Sequence, residues 1–163
     1  MFLTSERRKV INATRPNPVE VNVEVVNSST AKEWTIEGDN LRRKEHNAEA
    51  IWYYTKALDN ADAVQRIYLI PRIMACYRRQ NLPNKAKDFL LEMIYAYGID
   101  VADHVTYTVM ASVHSDLNEW NQAQICADRA CELNDGVIDE YLNAVYARIN
   151  YNVSKRVNNL CFA

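Results

Sequence analysis

Two periodicities divide the chain. Before Ser28, Val19, Val21, Val23 and Val25 alternate with Glu20, Asn22 and Glu24, the period of two that marks a half-buried strand. Beyond it the apolar residues fall at helical spacing. The plainest stripe is Ile138, Tyr141, Leu142, Val145 and Ile149, with Asp139, Glu140, Asn143 and Arg148 off its face. No second strand is available to pair with the valine segment. Residues 1–30 therefore read as a disordered tail, as a strand that pairs with a symmetry mate, or as an extended arm along the helices.

Start and stop signals set the helix boundaries. Thr30-x-x-Glu33 is a capping box, in which hydroxyl and carboxylate satisfy free backbone N–H groups at a helix start. Pro83 suits the first turn of a helix running to Tyr97, and Gly98 suits its end. Asp103 is the N-cap expected for the next helix. Pro71 is awkward, because a helix started by Asp62 carries it in the interior, where it removes a hydrogen bond. Either that helix begins near Ile67 or it bends at Pro71.

A longer repeat overlies these signals. Trp34-x2-Glu37-Gly38-x2-Leu41 is followed by Ala50-x3-Tyr54-x2-Ala57. The frame returns as Ile70, Met74 and Tyr77 followed by Ala86-x3-Leu90-x2-Met93, and again as Tyr107, Ala111 and His114 followed by Ala123-x3-Ala127-x2-Ala130. The key alanines stand 36 (50 to 86) and 37 (86 to 123) apart, and positions 38, 74 and 111 each precede one by 12. Small residues at these places let two helices approach, and large ones such as Trp34, Tyr54, Tyr77 and Tyr107 fill the wider gaps.

The frame resembles the tetratricopeptide repeat. The resemblance implies an all-α protein, a right-handed α-solenoid of three helix pairs over residues 31–163, closed by a capping helix from about residue 137 and preceded by an arm, residues 1–30. Glu37 stands where the family has an aliphatic residue, Met74 replaces a small one and Asp62 replaces a proline, which leaves the second repeat the weakest match.

Composition agrees with helices. Three glycines and four prolines are few for sheets and phosphate loops, while 48% hydrophobic and 25% charged residues are ordinary for a folded chain. A net charge of −2 points neither to nucleic acid nor to an anionic membrane. The first nine residues carry their charges after a short apolar start and do not read as a signal peptide, and no apolar window is long enough for a membrane span. The expected compartment is the cytoplasm. Cys76, Cys126, Cys131 and Cys161 form no CxxC pair and read as free thiols, and the Asn-x-Ser/Thr triplets at Asn12, Asn27 and Asn152 as chance.

No catalytic constellation is evident, so the expectation is a non-catalytic protein without metal or cofactor. His46, His104 and His114 lack metal-ligand spacing, and no glycine-rich phosphate loop or nucleophile elbow occurs. Binding has more to work with. The resemblance implies that the first helix of each repeat lines a groove. Its positions hold Lys32, Thr35, Ile36, Asp39, Arg42 and Arg43, then Tyr68, Pro71, Arg72, Ala75, Arg78 and Arg79, then Val105, Thr108, Val109, Ser112, Ser115 and Asp116. Arg42-Arg43 and Arg78-Arg79 occupy equivalent places, either as solvated helix ends or as forked donors to carboxylates or phosphates.

The family's carboxylate clamp for acidic C-terminal tails is absent. Thr35, Asp39, Arg72, Val105 and Val109 stand at its positions, and Asp39 is expected to repel a carboxylate. The reading is an adaptor for an acidic or extended peptide of another protein, with Arg42, Arg43, Arg72, Arg78 and Arg79 as anchors and Tyr68 as an apolar contact. The alternative is a structural protein that forms a homodimer or larger assembly through its N-terminal arm. In a variant of both, Glu20 and Glu24 of the arm fill the chain's own arginine groove.

Overall fold

A computed structural model describes residues 31–161, with side chains to Arg156, and all regular structure among them is helical. The valine segment, the Thr30 capping box and the side chain of Cys161 lie outside the described residues, and so does every expectation placed on the arm. Seven α-helices follow one another: α1 (Ala31–Arg43), α2 (Asn47–Leu58), α3 (Ala63–Arg79), α4 (Pro83–Tyr97), α5 (His104–Asp116), α6 (Trp120–Leu133) and α7 (Glu140–Cys161), with a 3-10 turn at Ile99–Val101. No helix among the described residues is long and apolar enough to cross a membrane. The chain divides between Gln80 and Asn81 into two compact units.

In the first unit, α1 and α2 form a hairpin whose three-residue turn places Glu45 at φ 64°. The N–H groups of Lys44, Glu45 and His46 bond back to the carbonyls of Leu41 and Arg42, which closes the turn. The hairpin is tight because Gly38 has no side chain. A Cβ there would lie 2.6 Å from the ring carbons of Tyr54, which is fully buried with Ala50 and Ala57. At the outer end, Trp34 meets Trp52 at 5.6 Å in the favoured edge-on geometry and Tyr53 at 5.4 Å with the rings tilted by 44°.

Helix α3 packs on α2 and starts at Asp62. Asp62 Oδ1 accepts from Gln65 N at 2.8 Å, while Gln65 Oε1 accepts from Asp62 N at 3.0 Å. This capping box fixes the start at Ala63, four residues before Ile67, and the helix runs unbroken past Pro71, which is buried beside Ile70 and Ile73. The start near Ile67 is therefore corrected: the two capping bonds offset the one that proline removes.

In the second unit, Pro83 opens α4 and Gly98, at φ 90°, ends it. Asp103 caps α5, its Oδ1 accepting from both N and Oγ1 of Thr106 at 2.9 Å. Helices α5 and α6 form a second hairpin, and α7 packs against both. Their shared core joins Ala111, Trp120, Ala123, Ala127 and Ala130 to Leu142, Val145 and Ile149. The last helix begins at Glu140 instead of about 137, because Asp139 caps it by accepting from Leu142 N at 2.8 Å. Ile138 and Tyr141, expected on the apolar stripe, are exposed.

Candidate binding cleft

Asp39 is the hub of the first unit's polar face. It lies one turn before Arg42 on α1, and its carboxylate is reached from both other helices. Tyr54 of α2 donates to Oδ1 at 2.6 Å, and Tyr68 of α3 donates to Oδ2 at 3.0 Å. Arg72 Nε stands 3.4 Å and Arg42 Nε 3.8 Å from Oδ1. Burial pushes this carboxyl up, but the two hydroxyl bonds and the two guanidinium charges outweigh it, and the net effect holds Asp39 below the ordinary carboxylate range. The charge expected to repel a ligand is neutralised inside the fold.

The same hub takes two of the six expected anchors. Arg72 is tied to Asp39 by charge, lies over the Tyr68 ring 3.2 Å from its centroid, and donates through Nη1 to the Tyr68 carbonyl at 2.9 Å. Tyr68 spends its hydroxyl on Asp39. Neither is presented as a free contact for a peptide. Arg42 is held differently. Its Nε donates to the Tyr54 hydroxyl at 3.2 Å, and the same inner nitrogen faces Asp39 Oδ1.

Beyond Arg42 the C-terminal ends of α1 and α3 border an open cleft of about 720 Å³, lined by Arg42, Arg43, Glu45, Asn47 and Arg79. Arg43 and Arg79 are exposed, and Arg43 Nη1 also donates to Asn40 Oδ1 at 3.3 Å. Asn47 Nδ2 donates to the Glu45 carbonyl at 3.1 Å. Arg42 and Arg79 both bear on the buried thiol of Cys76. Burial pushes that thiol up to about 11 in spite of the two cations. Arg78 is half-buried and does not line the cleft.

The third set of groove positions is not open. Thr108, Val109, Ser112 and Ser115 of α5 are buried, which corrects the expectation that they face a ligand. Thr108 and Ser115 bond back to the carbonyls of His104 and Ala111, and Ser112 lies 3.2 Å from the Tyr141 hydroxyl of α7. Asp116 accepts from Arg148 of α7 at 2.6 Å. The final helix occupies that side of α5.

His46 and His114 pair with carboxylates, at 3.8 Å from Glu49 and 2.5 Å from Glu119. Among the described residues no three His, Cys, Asp or Glu side chains gather as a metal site. Sequence spacing missed Asp39 as a hub, the hydroxyl of Tyr54, and Glu45 and Asn47 in the turn. No protein-family model, curated protein or solved structure matches the chain.

Proposed function

We propose that the chain is a non-catalytic interaction module of tetratricopeptide type, working in the cytoplasm, that binds an acidic segment of another protein at Arg42, Arg43 and Arg79. The observation that carries this is that three arginines line one open cleft whose lining includes a single carboxylate, Glu45, with Arg42 also paired to Asp39 behind it. Guanidinium forks bind carboxylates and phosphates by paired, charge-assisted hydrogen bonds. The repeat reading draws support from the tight Gly38–Tyr54 approach and from the burial of Ala50, Ala57, Ala111, Ala123 and Ala130. The anchor set is narrower than the sequence alone implies, since Arg72 and Tyr68 serve Asp39.

Titration of the chain with glutamate-rich, lysine-rich and neutral peptides of equal length tests the reading. The glutamate-rich peptide is expected to bind tightest, to weaken with salt, and to lose its advantage in an Arg43→Glu/Arg79→Glu variant that keeps its helical circular dichroism. Equal binding of all three peptides by the wild type would overturn it.

A further inference from the structure

The cleft selects among acids. A carboxylate spreads one charge over two coplanar oxygens, which a single guanidinium fork can satisfy. Three guanidiniums drawn from two helices suit a group with more oxygens, more charge and no single plane. A phosphoryl ester meets that description, with a charge of about −1.5 to −2 and three acceptor oxygens.

Two further observations favour such an occupant. Arginines in a last helical turn often serve the negative end of the helix. Here the turn backbone already does so: N–H groups of Lys44, Glu45 and His46 take the carbonyls of Leu41 and Arg42, and Gln80 N bonds to Cys76 and Tyr77. Those carbonyls therefore make no demand on the guanidinium heads. In addition, Arg42 is held before any ligand arrives, because Tyr54 and Asp39 engage its inner nitrogen while the residue lines the cleft. A preset fork loses less freedom on binding than a loose one.

Resting on the function proposed above, we infer that this cleft takes the phosphoryl group of a phosphoserine or phosphothreonine on an extended peptide. Arg42 is the preset anchor, Arg43 and Arg79 complete the ring of donors, and Tyr54 is a positioning residue. Glu45 disfavours a second acidic group beside the first.

The test is a nuclear magnetic resonance titration that follows the arginine Nε–Hε signals of the full chain. The probes are a Gly-Ser decapeptide with a central phosphoserine, the same peptide with glutamate or serine there, and inorganic phosphate. The phosphoserine peptide is expected to shift the signals of Arg43 and Arg79 and to bind at least about tenfold tighter than the glutamate peptide, as two or more added charge-assisted bonds imply. Arg43→Gln/Arg79→Gln should abolish that preference. Tyr54→Phe should reduce the ratio of phosphoserine to glutamate affinity, which a merely structural role would leave unchanged.

Equal affinity for the phosphoserine and glutamate peptides overturns the inference and leaves the acidic-peptide reading standing. Inorganic phosphate binding as tightly as the phosphoserine peptide overturns the peptide part. If no arginine signal moves with either acidic peptide, both readings fall.

Discussion

Gly38 and Tyr54 are in van der Waals contact across the first hairpin, the ring of one lying where any side chain of the other would be. That contact does more than tighten packing. It sets the height at which the Tyr54 hydroxyl meets Asp39 Oδ1 at 2.6 Å and receives Arg42 Nε at 3.2 Å. A backbone position without a Cβ thus supports the charge arrangement of the cleft.

Gly38→Ala tests that support. Alanine gains helix propensity, worth about 1 kcal/mol. Against this, its Cβ would meet two Tyr54 ring carbons at 2.6 Å in a fully buried site, and overpacking of that kind costs about 1–3 kcal/mol. Net destabilisation by up to about 2 kcal/mol is expected in chemical denaturation. A variant at least as stable as the wild type would show that Tyr54 moves freely.

The Asp39 hub predicts a pH dependence. Its carboxyl is held below the ordinary value of 3.8 by the Tyr54 and Tyr68 bonds and by Arg72 and Arg42, against the opposing effect of burial. A depressed carboxylate contributes stability that is fully present above its unfolded pKa and is lost as pH falls through the folded one. Wild-type stability is expected to hold to about pH 5 and to fall in more acid solution. Asp39→Asn should be less stable at pH 7 and approach the wild type as the pH drops below 3.8. Parallel curves would assign the acid sensitivity elsewhere.

Glu119 makes a similar link in the second unit. Its Oε2 lies 2.5 Å from His114 Nδ1 of α5, and its Oε1 accepts from Lys87 of α4 at 3.3 Å. The His114 bond, with help from Lys87, holds this carboxyl below its usual range. Because Glu119 is substantially exposed, Glu119→Gln is expected to cost only about 0.5–1 kcal/mol at neutral pH after solvent screening. The difference should vanish in acid, where the wild-type carboxyl is protonated too. Thermal unfolding at pH 7 and pH 3 checks both halves of the statement.

How much of this was legible follows the range of the interactions. Pro83, Gly98 and Asp103 announce helix ends through bonds to residues three or four places away, and the structure has all three where the letters put them. The small positions 38, 50, 57, 111, 123 and 130 likewise show as a spacing. Asp39 is different. Its partners Tyr54 and Tyr68 stand 15 and 29 residues away, so its isolated letter reads as a repulsive charge when the fold makes it a neutralised hub. The buried face of α5 was hidden for the same reason: only the docking of α7 turns Ser112 and Asp116 from groove residues into contacts of Tyr141 and Arg148. Asp62 and Gln65, by contrast, formed a capping box that the spacing could have revealed, since aspartate caps as well as threonine.

Cys76 offers a chemical readout of two cleft arginines, Arg42 and Arg79, whose charges act on its thiol. Its thiol is buried and raised to about 11, and only the thiolate reacts with disulfide reagents or alkylating agents. In the native chain at pH 7.5 it should therefore react far more slowly than after unfolding. Arg42 and Arg79 both favour the thiolate, so Arg79→Gln is expected to raise the Cys76 pKa further and slow its modification, with helical content unchanged. Comparing alkylation rates at pH 8 and pH 10 by mass spectrometry of the Cys76 peptide separates this electrostatic effect from access. A faster reaction in Arg79→Gln would mean that the arginine acts as a lid over the thiol, and that its guanidinium lies across the cleft instead of lining it.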